Sequence, residues 1–345
     1  MYERFSGCRI LSYCLMSNHL HVLLEVPPGC EKGKTLELTD DELIRRLGGL
    51  YSRNYTRTVA RELQQARDLI EGKTPDGETV PPSKTAKRKA MAREGEQYLE
   101  EIHARYAYRM HSLSEFFKGM LQRFTCWFNC ERGRRGTLWE SRFRSVIVQD
   151  GLAARTMAAY IDLNPVRAGV VDDPADYRWS SYGEAAGGGR GAAKARRGLV
   201  RALSAFGKKE ATARAWSQGG IGKEYRRILM ANGMEQSEED VHGRRGVKGK
   251  KIITRRGMDR EQAEKELERL HETSARDLKV SKVIRCRVRY FTDGAVIGSR
   301  SFVDEVFART RERFGPKRKD GARRPRGALG ELKGDLWSLR DLKVP

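Results

Sequence analysis

Between residues 8 and 26 apolar and polar positions alternate loosely, in a stretch rich in Ile, Leu, Val and Tyr. The alternation breaks at Ser17-Asn18, a turn-favouring pair, and stops at Pro27-Pro28-Gly29, which predicts two strands joined as a hairpin. From Asp40 to about Leu69 the period becomes helical: Leu43, Ile44, Leu47, Leu50 and Tyr51 recur on one face, with Thr39 or Asp40 as N-cap. Residues 72–96 are polar, basic and interrupted by proline, and are expected to form a mobile insertion. A second helix is predicted over residues 113–132, opened by the capping-box-like "SLSE" of Ser112 to Glu115. Its apolar stripe is Phe116, Phe117, Met120, Leu121, Phe124, Trp127 and Phe128. Residues 144–148 read as a strand, and a third helix runs from Gly151 to about Leu163, where Pro165 stops it.

Beyond this point the pattern is weaker. Residues 183–198 (GEAAGGGRGAAKARRG) have the composition of a linker, which divides the chain into residues 1–183, a linker at 184–199 and a basic region at 200–345. Residues 261–272 read as a charged helix. "RVRYFTDGAVIGS" places two alternating runs around Asp293-Gly294, a hairpin signal, and residues 301–314 follow as an amphipathic helix. "GPKRKDGARRPRG" is basic and expected to be loose, either a solvated tail or an arm that contacts phosphates. There is no internal repeat.

Charge narrows the partners. The 345 residues carry 68 Lys and Arg against 46 Asp and Glu, a formal net charge of +22, and such a field draws polyanions, most often nucleic acid. No apolar run approaches the roughly 20 residues needed to span a bilayer, so no membrane is expected as a partner. The N-terminus MYERFSGCRI lacks a basic region followed by an apolar block, which argues against a signal peptide. Six cysteines without a CxxC pair fit a reducing cytoplasm. Cys126 and Cys130, one helical turn apart in an aromatic stretch, are expected to be buried free thiols.

Two short stretches carry candidate chemistry. In "LMSNHLHVLLEV", His19 and His21 share one face of a strand with Leu20 opposite, so two imidazoles could hold one divalent cation from a rigid scaffold. Taken alone, most such pairs are packing or surface residues. In "AAYIDLNPVRAG", Tyr160 and Asn164 lie four apart on a helix and share a face. A tyrosine on an Ala-rich helix ordinarily packs, and an Asn near a helix end ordinarily caps it.

Together the pieces are more specific. "LMSNHLHVLLEV", "RMHSLSEFFKGMLQRFTCWFN", "GRRGTLWESRF", "YIDLNPVRAG" and "DYRWSSYG" occur in an order that resembles the single-tyrosine transposases of the HUH superfamily, especially the REP-associated tyrosine transposases. The resemblance covers residues 8–183, interrupted by an insertion at about 31–105, and is silent on much of 200–345. It implies an α+β fold, a ferredoxin-like antiparallel sheet with helices on one face, followed here by a basic C-terminal extension. It makes His19 and His21 metal ligands, Tyr160 the nucleophile and Asn164 the residue that completes the metal site. A free phenol, with a pKa near 10, is a poor nucleophile at neutral pH, and Mg²⁺ or Mn²⁺ would help by polarising the scissile phosphate. The implied reaction is cleavage and rejoining of single-stranded DNA, at hairpin or palindromic ends, through a 5′-phosphotyrosine linkage. One nucleophilic tyrosine per chain implies two cooperating protomers, a homodimer.

Arg134, Arg135, Arg142 and Arg144 flank Trp139 in "RRGTLWESRFR", a pattern that suits phosphate contacts with base stacking, or else a core aromatic among solvated arginines. Arg167 is a further candidate for DNA, or for a carboxylate. Trp179 is expected to pack the end of the domain. The sequence departs from the family in one respect: eighteen residues precede His19, enough for one strand where a strand and a helix are expected. Losing a central first strand would leave backbone groups unpaired. Three explanations follow: a start upstream, a truncated copy that binds DNA without catalysis, or a substitute segment such as the hairpin at 288–297. A replication-initiating or conjugative HUH nuclease would use the same chemistry but fits "YIDLNPVRAG" less well.

Overall fold

The computed structural model describes residues 1–28, 36–74, 76–204, 212–218, 220–237, 253–271, 294–327, 330–331 and 335–340. The chain is α+β and divides into two units, one of residues 1–9 and 25–142, the other of residues 10–24 and 143–345.

The first unit is helical: α1 (Tyr2–Ser6), α2 (Asp40–Leu47), α3 (Arg53–Glu71), α4 (Thr85–Ala107) and α5 (Leu113–Glu131). Three side chains start these helices. Thr39, Ser52 and Ser112 accept hydrogen bonds from the backbone N–H of Glu42, Tyr55 and Glu115, satisfying first-turn donors of α2, α3 and α5. The single helix predicted from Asp40 is therefore two. Gly48-Gly49 ends α2, because glycine is a poor helix former, and Ser52 caps a fresh start. The expected mobile insertion is also corrected: from Thr85 its residues form α4, built of Ala, Lys, Arg and Glu, all good helix formers. A Cβ added at Gly95 would sit 2.6 Å from the Ala66 carbonyl, so α3 and α4 pack with almost no side chain between them. Leu43, Leu47, Val59, Leu63, Ile102 and Tyr106 complete that core.

Along α5 the apolar stripe does not stay inside. Phe116 and Phe117 are buried, but Phe124 is 42% exposed and Trp127 56% exposed. Cys126 and Cys130 are exposed as well, contrary to expectation, because they lie on the outward half of this helix.

The second unit begins with a hairpin, β1 (Arg9–Leu15) and β2 (Leu20–Glu25), whose end residues Arg9 and Glu25 are assigned to the first unit. Then come β3 (Ile147–Val148), α6 (Leu152–Asp162), α7 (Asn164–Arg167), a 3-10 turn (Pro174–Asp176), α8 (Ser181–Gly187), α9 (Ala192–Leu203), α10 (Ala213–Ser217) and α11 (Ile221–Gly233). After β4 (Gln236–Ser237), β5 (Ile253–Arg255) and α12 (Arg260–His271) follow β6 (Gly294–Gly298) and α13 (Arg300–Arg309). A second 3-10 turn (Arg311–Arg313), β7 (Arg326–Gly327), β8 (Gly330–Glu331) and β9 (Trp337–Arg340) complete the unit. The described strands form four small sheets: β1-β2, β3-β6-β9, β4-β5 and β7-β8.

Leu11, Cys14 and Leu23 of the hairpin share one core with Met157, Tyr160, Ile161 and Leu163, with Leu199 and Leu203 of α9, and with Tyr225 of α11. The linker expected at 184–199 is thus corrected to two helices, α8 and α9, with Ala185, Ala195 and Leu199 buried in that core. The Ala and Gly that suggested a linker are there for close packing. A Cβ at Gly198 would lie 2.8 Å from the carbonyl oxygens of both Ile10 and Leu11, so α9 rests directly on the β1 backbone.

The hairpin's other edge is also occupied. Leu15 N–H donates to the Trp179 carbonyl at 2.9 Å, Cys14 and Ser180 form an antiparallel bridge, and Tyr13 N–H donates to Ser181 Oγ at 2.8 Å. The "DYRWSS" segment therefore supplies partners to backbone groups of β1 that a missing strand would leave unpaired. Trp179 does not pack the domain end: it is 52% exposed, with the Arg178 guanidinium 4.6 Å from its ring centroid.

Of the hairpin expected at 288–297, residues 288–293 lie outside the described residues. Its second arm, β6, joins β3 in parallel and β9 in antiparallel pairing and does not extend the β1-β2 sheet. The basic stretch at 315–327 is not loose. Arg318 lies over the rings of Phe314 and Phe307, and Ala322 N–H donates to Asp304 Oδ1 at 2.9 Å. Among the described residues no helix is long and apolar enough to cross a membrane.

Candidate active site

The hairpin closes tightly: Met16 N–H donates to the His19 carbonyl at 2.9 Å, leaving Ser17 and Asn18 as a two-residue loop. That fixes the register of β2 and so places His19, just before the strand, and His21, within it, on one face. Their ring centroids are 5.0 Å apart, with planes at 82°. His19 Nδ1 lies 2.6 Å from Asn18 Oδ1, which orients its ring from the loop side.

Helix α6 supplies the third ring. It is buried along nearly its whole length, from Ala153 to Asp162 apart from Arg155, and Tyr160 is 1% exposed. The His21 and Tyr160 ring centroids are 5.8 Å apart, edge to face at 75°. Arg167, seven residues on in α7, holds its guanidinium 5.1 Å from the Tyr160 ring centroid. Such a contact favours the cation electrostatically and covers the ring face. Asn164 is near by sequence and by structure, but its side-chain amide donates to the carbonyls of Tyr160 at 3.0 Å and Ile161 at 3.3 Å. Its nitrogen is thus engaged in ending α6, the ordinary duty of an Asn at a helix terminus.

The donor chemistry suits a divalent cation. Burial, with the charge of His19 second, pushes His21 down to about 4, so it is neutral at physiological pH. Neutral imidazole is the form that ligates. Among the described residues no group of three or more His, Cys, Asp or Glu is placed to hold a metal. A cation at this face would therefore rest on the two imidazoles, with oxygen donors from Asn164, water or substrate.

Five expected site residues, His19, His21, Tyr160, Asn164 and Arg167, thus fall within one unit around α6 and the hairpin. Arg144 belongs to the same unit and is exposed. Arg134, Arg135, Trp139 and Arg142 belong to the other unit. There Trp139 Nε1–H donates to Thr125 Oγ1 at 3.0 Å, which holds its indole against α5, while the three arginines are exposed.

Behind α6 lies a polar cluster that the sequence reading missed. Asp162 is fully buried and accepts hydrogen bonds from Tyr225 Oη–H at 2.7 Å and Tyr182 N–H at 3.0 Å. Burial pushes its carboxyl up to about 7, against the pull of those donors. Arg226, next to Tyr225, donates to both oxygens of Asp173, to Glu266 and to Tyr182 Oη. The available signal was Asp162 itself, the one acidic residue in the apolar run from Leu152 to Leu163. Compared with models of protein families, with curated proteins and with solved structures, the chain gives no match.

Proposed function

We propose that this chain is a DNA transposase that cleaves and rejoins single-stranded DNA by transesterification, with Tyr160 as nucleophile. The observation that carries the reading is the grouping of His19, His21 and Tyr160, two imidazoles and a phenol drawn from separate motifs onto adjacent elements. The Tyr160 oxygen attacks a DNA phosphorus; a P–O bond to tyrosine forms, the bond to the 3′ oxygen breaks, and that oxygen leaves as a 3′-OH. The 5′-phosphotyrosine ester keeps the bond energy, so a second 3′-OH can reverse the step and join strands. His19 and His21, with Asn164, would hold Mg²⁺ or Mn²⁺, which when bound polarises the phosphate and offsets charge in the transition state. Arg167, whose guanidinium lies beside the Tyr160 ring, would pair with phosphate oxygens. The net charge of +22 suits a polyanionic substrate. This reading carries with it a ferredoxin-like ancestry for the hairpin and α6, and two cooperating protomers.

A second reading is a DNA-binding protein of the same descent without catalysis. The burial of Tyr160 favours it, since a nucleophile must reach its phosphate. One experiment separates the two. Hairpin oligonucleotides from the DNA flanking the gene, labelled at the 5′ or 3′ end, are incubated with wild type and Tyr160→Phe, with Mn²⁺ or EDTA, and run on a denaturing protein gel. A labelled adduct that needs Tyr160 and metal supports the transposase. Retention of the oligonucleotide in a native gel without any adduct supports the binding protein.

A further inference from the structure

The outward half of α5 presents a surface that the reaction above does not use. Phe124 and Trp127 are 42% and 56% exposed, a costly position for large rings unless something covers them in use. The rings are ordered against one another: the centroid of Phe124 is 5.6 Å from Trp127, 6.0 Å from Phe128 and 5.9 Å from Trp139. The loop after α5 is tied down over this patch. Asn129 Nδ2–H donates to the Gly136 carbonyl at 2.9 Å, and Arg134 N–H donates to the Asn129 carbonyl at 2.9 Å. Those two bonds, with the Trp139 indole bond to Thr125, bring guanidinium groups alongside the rings. Arg132 and Arg134 lie 6.0 and 5.9 Å from the Phe128 ring centroid. From residue 123 to 142 there are five arginines and two glutamates, with no lysine or aspartate.

We propose that the exposed face of Phe124, Trp127 and Phe128, rimmed by Arg132 and Arg134, is a stacking platform for unpaired bases of single-stranded DNA. Flat rings offer a surface to any base, and neighbouring guanidiniums meet the phosphates between stacked bases. A protein partner would be served equally well by the rings, but the balance of five arginines against two glutamates favours a polyanion, and duplex DNA hides its base faces. The choice of DNA rests on the transposase reading; the rings and the charge do not.

The test uses the full chain and fluorescence anisotropy of a labelled oligothymidylate of about a dozen nucleotides, single-stranded or annealed to its complement. Trp127→Ala and Phe124→Ala, both at exposed positions, should each weaken single-strand binding at least about fivefold, with Trp127→Phe closer to wild type and duplex binding unchanged. Unchanged single-strand affinity in the alanine variants, or no single-strand binding by wild type, would overturn the platform. So would a change confined to oligomeric state in sedimentation, which would make the face a contact between copies. The adduct assay, run on the same preparations, keeps the two readings apart. An adduct with no dependence of affinity on Trp127 sinks the platform alone, and ring-dependent affinity without an adduct supports the platform and sinks the transposase.

Discussion

The ring of His21 meets the ring of Tyr160 edge to face, centroids 5.8 Å apart, although one lies on a hairpin and the other on a buried helix. If the proposed chemistry holds, the two fail differently. Tyr160→Phe should abolish the covalent adduct while leaving the thermal midpoint nearly unchanged, because the ring contacts remain. His21→Ala should cut adduct formation at least about 100-fold, the loss of a ligand whose cation supplies several kcal/mol to the transition state. Adduct yield in Tyr160→Phe equal to wild type would remove the nucleophile assignment.

Asp162 gives the second unit a pH dependence of known sign. Its folded-state pKa, about 7, lies above the unfolded value near 3.9, so the folded state binds the extra proton between them. The protonated form is the better tolerated, and stability should fall as pH rises from about 4 to 7, by at most about 1.4 kcal/mol per pH unit. Asp162→Asn keeps an oxygen for Tyr182 N–H and cannot ionise. Urea unfolding at pH 5 and pH 8 should therefore show a smaller decline for the variant than for wild type. Parallel declines would mean that the buried carboxyl does not govern the slope.

Arg226 acts in the opposite pH range. Burial raises the Asp173 carboxyl, but hydrogen bonds from Arg226 outweigh it and hold the group below its usual range, and the same balance holds for Glu266. Their stabilisation is present above pH 4–5 and lost as pH falls below the ordinary carboxylate range. Arg226 and its partners are partly exposed, so Arg226→Ala should cost about 2–4 kcal/mol, less than a fully buried pair. Lysine should rescue little, since it cannot donate to both Asp173 oxygens in a fork. Chemical denaturation of the three proteins at neutral pH checks the order.

The exposed thiols offer a fast check on α5. Native-state alkylation read by mass spectrometry should modify Cys126 and Cys130 quickly and leave Cys8 and Cys14 protected. Burial pushes the Cys14 thiol up to about 12, with the nearby Asp162 adding to it, so access and thiolate content act in the same direction there. Rapid labelling of Cys14 in folded protein would contradict the hairpin core.

Local structure is legible in the sequence where a short-range rule decides the outcome. The Ser17-Asn18 turn, the Ser112 cap and the stop at Pro165 each depend on a few neighbouring residues. The elements that the sequence does not show share another cause. The Gly/Ala-rich stretch at 183–198 has the composition of a linker, but small residues are also what a helix needs to approach a backbone, as Gly198 does at β1. Likewise α4 has only a thin apolar stripe, and Gly95 replaces bulk with proximity to α3. The aromatic stripe of α5 ran the other way, apolar by pattern yet half exposed, because periodicity states which residues share a face and not what that face meets. His19, His21, Tyr160 and Asn164 were legible as motifs. Arg226 and its partners were not, since they come together from segments far apart in sequence.

Gly198 links that packing to the candidate site. A methyl group there would stand 2.8 Å from two β1 carbonyl oxygens, both backbone atoms that cannot swing aside, so either α9 or β1 must move. Gly198→Ala should destabilise the unit by about 1–3 kcal/mol, despite alanine's better helix propensity. Because β1 sets the register of β2 through the Met16–His19 turn, a shift of β1 carries both imidazoles with it. The adduct yield should fall by more than the unfolded fraction explains, measured below the variant's melting temperature. If stability drops while adduct per folded molecule is unchanged, α9 has yielded instead of β1, and the hairpin holds its histidines independently of the helix that packs on it.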